Sequence, residues 1–541
     1  MSILQRAARA SGFKLDAAVL PPDFAAAGET PPGAAAARAA LASLRERVRR
    51  ESDRLVGGWR DAILRDDFLP SARNLADYLA LRQQDLSRLQ VDLSALGLSS
   101  LGRCESHVTA NLDAVAAALA RLCGDAPEPF PDPDLWSEGA RQLREQRRVL
   151  FGRDRGAAIM ATLPSEAASD PRLVDSYVEA GMDCARINCA HDSPLVWRAM
   201  VAQVRRAAER HGRACRILMD LPGPKCRIDS LSPERPGRLQ VGDRLRLAQR
   251  LTSATPSGLP VVAVSVPQLV AGLAVGAPVW IDDGKIRGRV AAIEGGDRIV
   301  EIVGARPKGG KLRIDKGVNF PGARLDLPPL SEGDLAALPV VAECADLIGF
   351  SFVQRPRDIV ALDRALAAAR PGGAPKPLVL KIETLEAVRN LPRLLVQAAG
   401  SRPTAAMVAR GDLAAELGHV RLAEVQEEIL RLCEAARIPV VWATHALDDL
   451  VKDGPPSLAE TDDAAMAMAQ RGECAMLNKG PHVVEAIGFL AEFNNKTSRR
   501  QAKKTARLAP LHSWPLEALA LAAAPSPEGA GAPVTIEAPI R

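Results

Sequence analysis

Short apolar runs that end abruptly in charge recur through the second half of the chain. Pro377-Leu-Val-Leu380 is followed by Lys381 and Glu383, and Ala405-Ala-Met-Val-Ala409 by Arg410, Gly411 and Asp412. Runs this apolar read as parallel strands buried on both faces. Similar runs lie at 157–162, 183–188, 215–220, 346–352, 439–444 and 474–478, with helical patterns such as 171–180 and 195–211 between them. Eight strand–helix units predict an α/β fold, a (β/α)₈ TIM barrel, whose active site lies at the C-terminal strand ends. Arg186, Asn188, Asp220, Ser351, Lys381, Glu383, Asp412 and Thr444 all fall at or just past such ends. A chance scatter of polar residues would not collect on one face.

The texture changes elsewhere. Within 34–124, apolar positions recur mostly at three- and four-residue multiples (Leu41, Leu44, Val48; Leu75, Tyr78, Leu79; Leu112, Val115, Leu119) and predict helices. Residues 1–126 are thus expected to form an all-α N-terminal domain. Four prolines between Pro127 and Pro133 mark 127–156 as a Pro-rich linker. Residues 223–320 are too long for a loop between two barrel strands. They carry strand and turn signals at 238–243, 245–247, 261–264, 277–284 and 298–303. This predicts a small β-domain inserted at the catalytic rim, placed to act as a lid. The barrel then occupies 157–222 and 321–495, and the basic, then Pro/Ala-rich, tail 496–541 is expected to be disordered.

Composition narrows the function. A net charge of +5 over 541 residues and 3% aromatic residues give little to grip or stack on nucleic acid. The cluster Arg45, Arg47, Arg49 and Arg50 reads as a solvated helix face. Nine scattered cysteines without a CxxC pair read as reduced thiols. Arg6, Arg9 and Lys14 interrupt any signal-peptide core, and no run of about 18 apolar residues occurs, so a soluble cytoplasmic protein without a membrane partner is expected. No Walker-type glycine loop is present. Glu383 and Asp412 at neighbouring strand ends could share one Mg²⁺, which needs few carboxylates and leaves room for substrate oxygens. Lys381 beside them would add a fixed positive charge for a phosphoryl group; an ordinary rim salt bridge between Lys381 and Glu383 is the alternative.

Seven motifs in order then resemble the pyruvate kinase family over about residues 157–490. They are Gly181-Met-Asp-Cys-Ala-Arg-Ile-Asn-Cys-Ala-His191, Asp220-Leu-Pro-Gly-Pro-Lys-Cys-Arg227, Ile281-Asp-Asp-Gly284, Lys316-Gly-Val-Asn-Phe-Pro-Gly322, Leu380-Lys-Ile-Glu383, Val408-Ala-Arg-Gly-Asp-Leu413 and Trp442-Ala-Thr-His445. The resemblance implies Mg²⁺-dependent phosphoryl transfer from phosphoenolpyruvate to ADP, giving pyruvate and ATP, the last step of glycolysis; Mn²⁺ is a possible substitute. It gives Glu383 and Asp412 as metal ligands. Lys381, Thr444, Arg186 and Lys225 would be catalytic, with Arg410, Gly411, Asp412 and Ser351 at the substrate. His191, Arg227 and Lys316 would line the nucleotide side. Departures accompany it, among them Pro222, where the family usually has Lys or Gln. Asn188 and Asp220 remain of the family's K⁺ site, but Ala190 and Leu221 stand where it has Ser and Thr. Lys225 stands where K⁺-dependent members carry Glu, which resembles the K⁺-independent branch, its ammonium expected near Asp220. Leu477-Asn-Lys-Gly-Pro481 replaces the usual eighth-strand ending. The family's C-terminal regulatory domain is expected to be lacking, which would point to a homodimer through the barrels. Two alternatives stay open: a Mg²⁺-dependent citrate-lyase-like aldolase, suggested by the 382–390 stretch, and a catalytically reduced regulatory relative.

Overall fold

The computed structural model describes residues 30–126, 128–152, 156–234, 236–251, 258–282, 284–322, 328–443, 446–466 and 472–496, with the backbone alone at 497, 501–502 and 505–506. Fifteen strands are used here, in chain order. The first three, β1 (Ala158–Thr162), β2 (Cys184–Asn188) and β3 (Arg216–Leu221), are parallel and lead to an insertion. The insertion holds β4 (Ile228–Ser232), β5 (Arg244–Ala248), β6 (Val261–Val264), β7 (Pro278–Ile281), β8 (Ile286–Glu294), β9 (Asp297–Ala305) and β10 (Val318–Asn319). The chain then resumes with β11 (Leu347–Phe350), β12 (Leu378–Ile382), β13 (Thr404–Ala409), β14 (Val440–Ala443) and β15 (Cys474–Leu477).

The eight strands outside the insertion close into a parallel barrel in the order β1-β15-β14-β13-β12-β11-β3-β2. All eight expected runs are among them, within a residue or two at their ends. A closed parallel sheet with helices outside buries each strand on both faces, which is why the runs are apolar throughout. Alternate residues fill the interior: Met160, Cys184, Leu218, Val379, Met407, Val441 and Met476 share one cluster with Leu150 and Phe151. Those last two end the helix Pro133–Phe151, started by Asp132, whose side chain accepts the Asp134 N–H. Residues 133–151, expected as linker, are thus a capped helix that carries two fully buried side chains into the barrel core. The apolar period of that helix was masked by its many charged positions.

The insertion forms a seven-stranded sheet, β10-β7-β8-β9-β5-β6-β4, with its own core around Leu245, Val262, Val279 and Val300. Strands β4 and β8 had not been expected, while 238–243 makes only an isolated bridge, Leu239 to Gly310. In β8 the charges of Arg287, Arg289 and Glu294 dilute the apolar signal, while β4 has only two apolar residues, Ile228 and Leu231, in five.

The N-terminal helices, Ala34–Trp59, Leu69–Arg82, Ser87–Ala95 and Val108–Leu122, pack on one another, and Leu69–Arg82 packs on the barrel helix His419–Ala435. Their buried residues belong to the same core cluster as those of the barrel. The Leu64 and Arg65 amides both donate to the Gly400 carbonyl at 2.9 Å, and Asn74 Nδ2 donates to the Ala435 carbonyl at 2.8 Å. Gly400 has no room for a side chain, since a Cβ there would lie 2.1 Å from the Ala62 carbonyl oxygen. No helix among the described residues is long and apolar enough to cross a membrane. The final helix runs to Thr497, and 501–502 pairs with 505–506; the rest of the tail lies outside the described residues.

Candidate active site

Parallel strands aligned in one direction place all their C-terminal ends on one rim. In register, Asn188 pairs with Asp220, Asp220 with Gly349, and Phe350 with Leu380. Arg186, Asp220, Ser351, Lys381 and Glu383 are thereby brought together. Arg186 donates to Asp220 Oδ2 from Nε at 2.8 Å and Nη2 at 2.6 Å, and from Nη1 to Thr162 Oγ1 at 3.0 Å. Lys381 Nζ donates to Ser351 Oγ at 2.5 Å and lies 3.2 Å from Glu383 Oε1 and 3.4 Å from Asp220 Oδ2. Glu383 Oε2 accepts the Phe352 N–H at 2.6 Å. Lys225, from the loop after β3, donates to Asp412 Oδ1 at 2.5 Å. The rim salt bridge between Lys381 and Glu383 exists, then, inside a larger arrangement. Three cations (Arg186, Lys225, Lys381) face three carboxylates (Asp220, Glu383, Asp412).

Burial sets the electrostatics. Asp220 is 1% exposed and Glu383 2%. Burial opposes charge on Lys381, but Asp220 and Glu383 outweigh it and hold the ammonium above its ordinary value. Burial is also the largest influence on Asp220, yet Lys381 and Arg186 together keep its carboxyl below the usual range. On Glu383 burial wins. Its carboxyl is pushed up despite Lys381, and Asp412 adds to the rise. A divalent cation beside Glu383 and Asp412 would relieve the cost of charging Glu383. Their hard oxygens suit Mg²⁺, so Glu383 and Asp412 fit the metal expected of them.

The monovalent site fits less well. Ala190 and Leu221 offer no side-chain oxygen, and Asn188 Oδ1 accepts the Ala190 N–H at 3.2 Å. Lys225 was expected beside Asp220. Its ion pair is with Asp412, and the cations on Asp220 are Arg186 and Lys381. Asp220 Oδ1 is buried without a hydrogen-bond partner and packs against Gly349, where a Cβ would approach it to 2.5 Å. Gly349→Ala is therefore expected to push Asp220 off Arg186 and Lys381 and to destabilise the fold by about 1–3 kcal/mol. Denaturant midpoints for the two proteins check this; equal midpoints would mean that β3 and β11 separate freely.

Arg410 opens the helix Arg410–Leu417, with Gly411 and Asp412 in its first turn, where a carboxylate is favoured by the helix dipole. Its guanidinium grips Asp463 through Nη1 at 3.0 Å and Nη2 at 2.9 Å and lies 4.5 Å from the Trp442 ring centre. Asp463, Thr162 and the Phe352 amide were not foreseen. Thr162 ends a barrel strand and was open to the strand-end rule. Asp463 lies within a helix and carries no local signal.

The nucleotide-side candidates divide. Arg227 and Lys316 are neighbours in the insertion: Arg227 Nη1 donates to the Asp315 carbonyl at 2.8 Å, and Lys316 Nζ lies 3.1 Å from Asp282 Oδ1. His191 is exposed in the loop after β2, its carbonyl held by Trp197 Nε1 at 2.8 Å. Thr444 lies outside the described residues. After β15, Asn478 Nδ2 donates to Asp448 Oδ1 at 3.1 Å, which ties this unusual strand ending to the helix Asp448–Asp453.

Glu416, on the same short helix as Asp412, has a strongly displaced carboxyl. Burial, helped by Asp412, pushes it from 4.5 to about 7, against a bond from the Leu385 backbone. Between those values the folded chain binds more protons than the unfolded one, so stability falls as pH rises through the window. The fall is expected to reach about 2–3 kcal/mol by pH 8, and Glu416→Gln should flatten it. Denaturant midpoints at pH 5, 6, 7 and 8 for both proteins test this; parallel curves would refute it.

A family model described as "Pyruvate kinase, barrel domain" matches residues 154–483. The chain is 31% identical to a pyruvate kinase of Agrobacterium vitis over 399 residues, 72% of this chain and 78% of that enzyme. It is 33% identical to human pyruvate kinase PKLR over 387 residues, 68% of this chain and 65% of that enzyme. Against the pyruvate kinase of Geobacillus stearothermophilus it is 31% identical over 350 residues, and spans only 57% of that enzyme's length. The chain belongs to the pyruvate kinase family.

Proposed function

We propose that the protein transfers the phosphoryl group of phosphoenolpyruvate to ADP, with Mg²⁺ or Mn²⁺ held by Glu383 and Asp412, and that it needs no K⁺. The observation that carries this is the Lys381 ammonium, 13% exposed and fixed between the buried Asp220 and Glu383 at the end of β12. Phosphoryl transfer asks for positioning and charge neutralisation more than covalent help. The three cations and three carboxylates balance, so the site itself is neutral. A divalent cation bound there would leave it positive, matched to a substrate that carries both a carboxylate and a phosphate.

Within this reading each residue has one task. Lys381 stays charged, contacts the phosphoryl group in flight and stabilises the enolate oxygen left behind. Arg186, aligned by Asp220 and Thr162, holds phosphate oxygens. The Arg410 and Gly411 amides at the helix start receive the substrate carboxylate, while Asp463 keeps the Arg410 guanidinium engaged elsewhere. Thr444 would serve the carbon that gains a proton. Arg227, Lys316 and His191 serve the nucleotide.

K⁺ is dispensable in this reading because too few side-chain oxygens remain to coordinate it, while Lys225 supplies a permanent charge at Asp412. Pyruvate formation from phosphoenolpyruvate, ADP and Mg²⁺, with and without K⁺, tests both parts. Equal rates are expected. Activity only with K⁺ would keep the kinase and overturn the role of Lys225; no pyruvate from the folded protein in either buffer would overturn the kinase. No specific observation favours the aldolase or the regulatory alternative.

A further inference from the structure

The Ala34–Trp59 helix and the barrel helix Leu385–Ala399 flank a groove of about 670 Å³, a size suited to a small ligand. Arg47, Arg50 and Arg54, three and four residues apart, share one face of the first helix. Arg389 and Arg393, four apart, share a face of the second. Among the described residues Glu51 is the only acid lining the groove, so five positive charges meet one negative, a surplus of four. Glu51 is itself engaged by Arg54 at 3.1 Å, and Arg47 bonds only neutral Gln84 and Ser43. Arg50 and Arg393 form no ion pair among the described residues. Arg389 does no more than help lower the Glu386 carboxyl, which is bonded to Arg355 and Asn390.

Like charges from two separate elements repel unless something lies between them. Here the convergence is held in place by the docked helices. The partly buried ring of Trp59 forms part of the wall. By contrast, the larger cavity of about 910 Å³ nearby is lined by four arginines and five acids and has no net pull on an anion. The charge is also confined. Elsewhere along the first helix Arg49 pairs with Glu46, and Asp53 with Arg73, so no extended basic face is offered to a nucleic acid or a bilayer.

We propose that this groove binds a small phosphate-bearing polyanion, its phosphates received by Arg50, Arg389 and Arg393. An occupant would touch the frame of the rim. Asn390, another groove residue, donates to the Gln354 carbonyl at 3.0 Å, in the loop whose Phe352 amide holds Glu383.

Calorimetric titration of the full chain with inorganic pyrophosphate in metal-free buffer tests this without relying on turnover. Saturable binding is expected. It should persist in Lys381→Met, whose rim has lost its central cation, and weaken about tenfold or more in the double variant Arg50→Glu, Arg393→Glu. If that variant fails to fold, Arg389→Gln with Arg393→Gln serves instead. Quenching of indole fluorescence on binding should disappear in Trp59→Phe. Binding lost in Lys381→Met but kept in the groove variants would overturn the proposal and assign the anion to the rim. No saturable binding at millimolar pyrophosphate would also overturn it. So would pyrophosphate failing where single-stranded RNA or phosphatidylserine vesicles bind and the double variant does not.

Discussion

Lys381→Met is expected to lower turnover of phosphoenolpyruvate with ADP by about 10²- to 10³-fold, with a much smaller change in KM. The lysine is the one cation placed between two buried carboxylates at the strand end, and its ammonium is held charged by both. Methionine keeps the length and apolar stem but removes that charge, so the loss falls on the step in which negative charge moves. Folding is the first control, because breaking a buried ion pair costs about 3–5 kcal/mol. Arg186 stays on Asp220, which limits the damage. Lys381→Arg should recover little, since a broad planar fork does not replace a compact ammonium that also donates to Ser351 at 2.5 Å. Steady-state rates and a melting curve for each variant decide the matter. A folded Lys381→Met that keeps most of its turnover would remove this residue from the chemistry.

Glu383→Gln should move activity and stability in opposite directions. Turnover is expected to fall about 10²-fold or more, because a neutral amide is a poor partner for Mg²⁺. Binding of Mn²⁺, followed by electron paramagnetic resonance in the absence of substrate, should weaken in step. Stability should hold or rise. Burial disfavours the glutamate's charge, whereas the amide oxygen still accepts the Phe352 N–H. Lys381 is not left alone, since Asp220 and Ser351 remain. Such a trade is common where function requires a destabilising group. Unchanged Mn²⁺ affinity together with a lower melting temperature would make Glu383 a structural residue only.

Much of the architecture was legible along the chain for a simple reason. A strand buried on both faces must be apolar, and a residue needed at its end must break that run, so β12 with Lys381 and Glu383 announces itself locally. The inserted sheet followed from length together with strand and turn signals, as no loop of nearly a hundred residues joins two barrel strands. Alternating patterns on exposed elements were weaker, which is why β4, β8 and the helix Pro133–Phe151 were missed. Polar and charged residues cover their outer faces, and their inward ones are too few to stand out.

The site divides along the same line. Which residue types stand at the rim was decided by the sequence, because each follows its own strand directly. Which carboxylate meets which cation was decided by the closed barrel. Lys225 lies far along the chain from Asp412 and reaches it only because β3 and β13 belong to one barrel. The grip of Asp463 on Arg410 and the meeting of Arg50 with Arg393 in one groove are likewise tertiary facts. Side-chain identity is local, whereas charge pairing depends on distance and burial, and those exist only once the sheet has closed and the helices have docked.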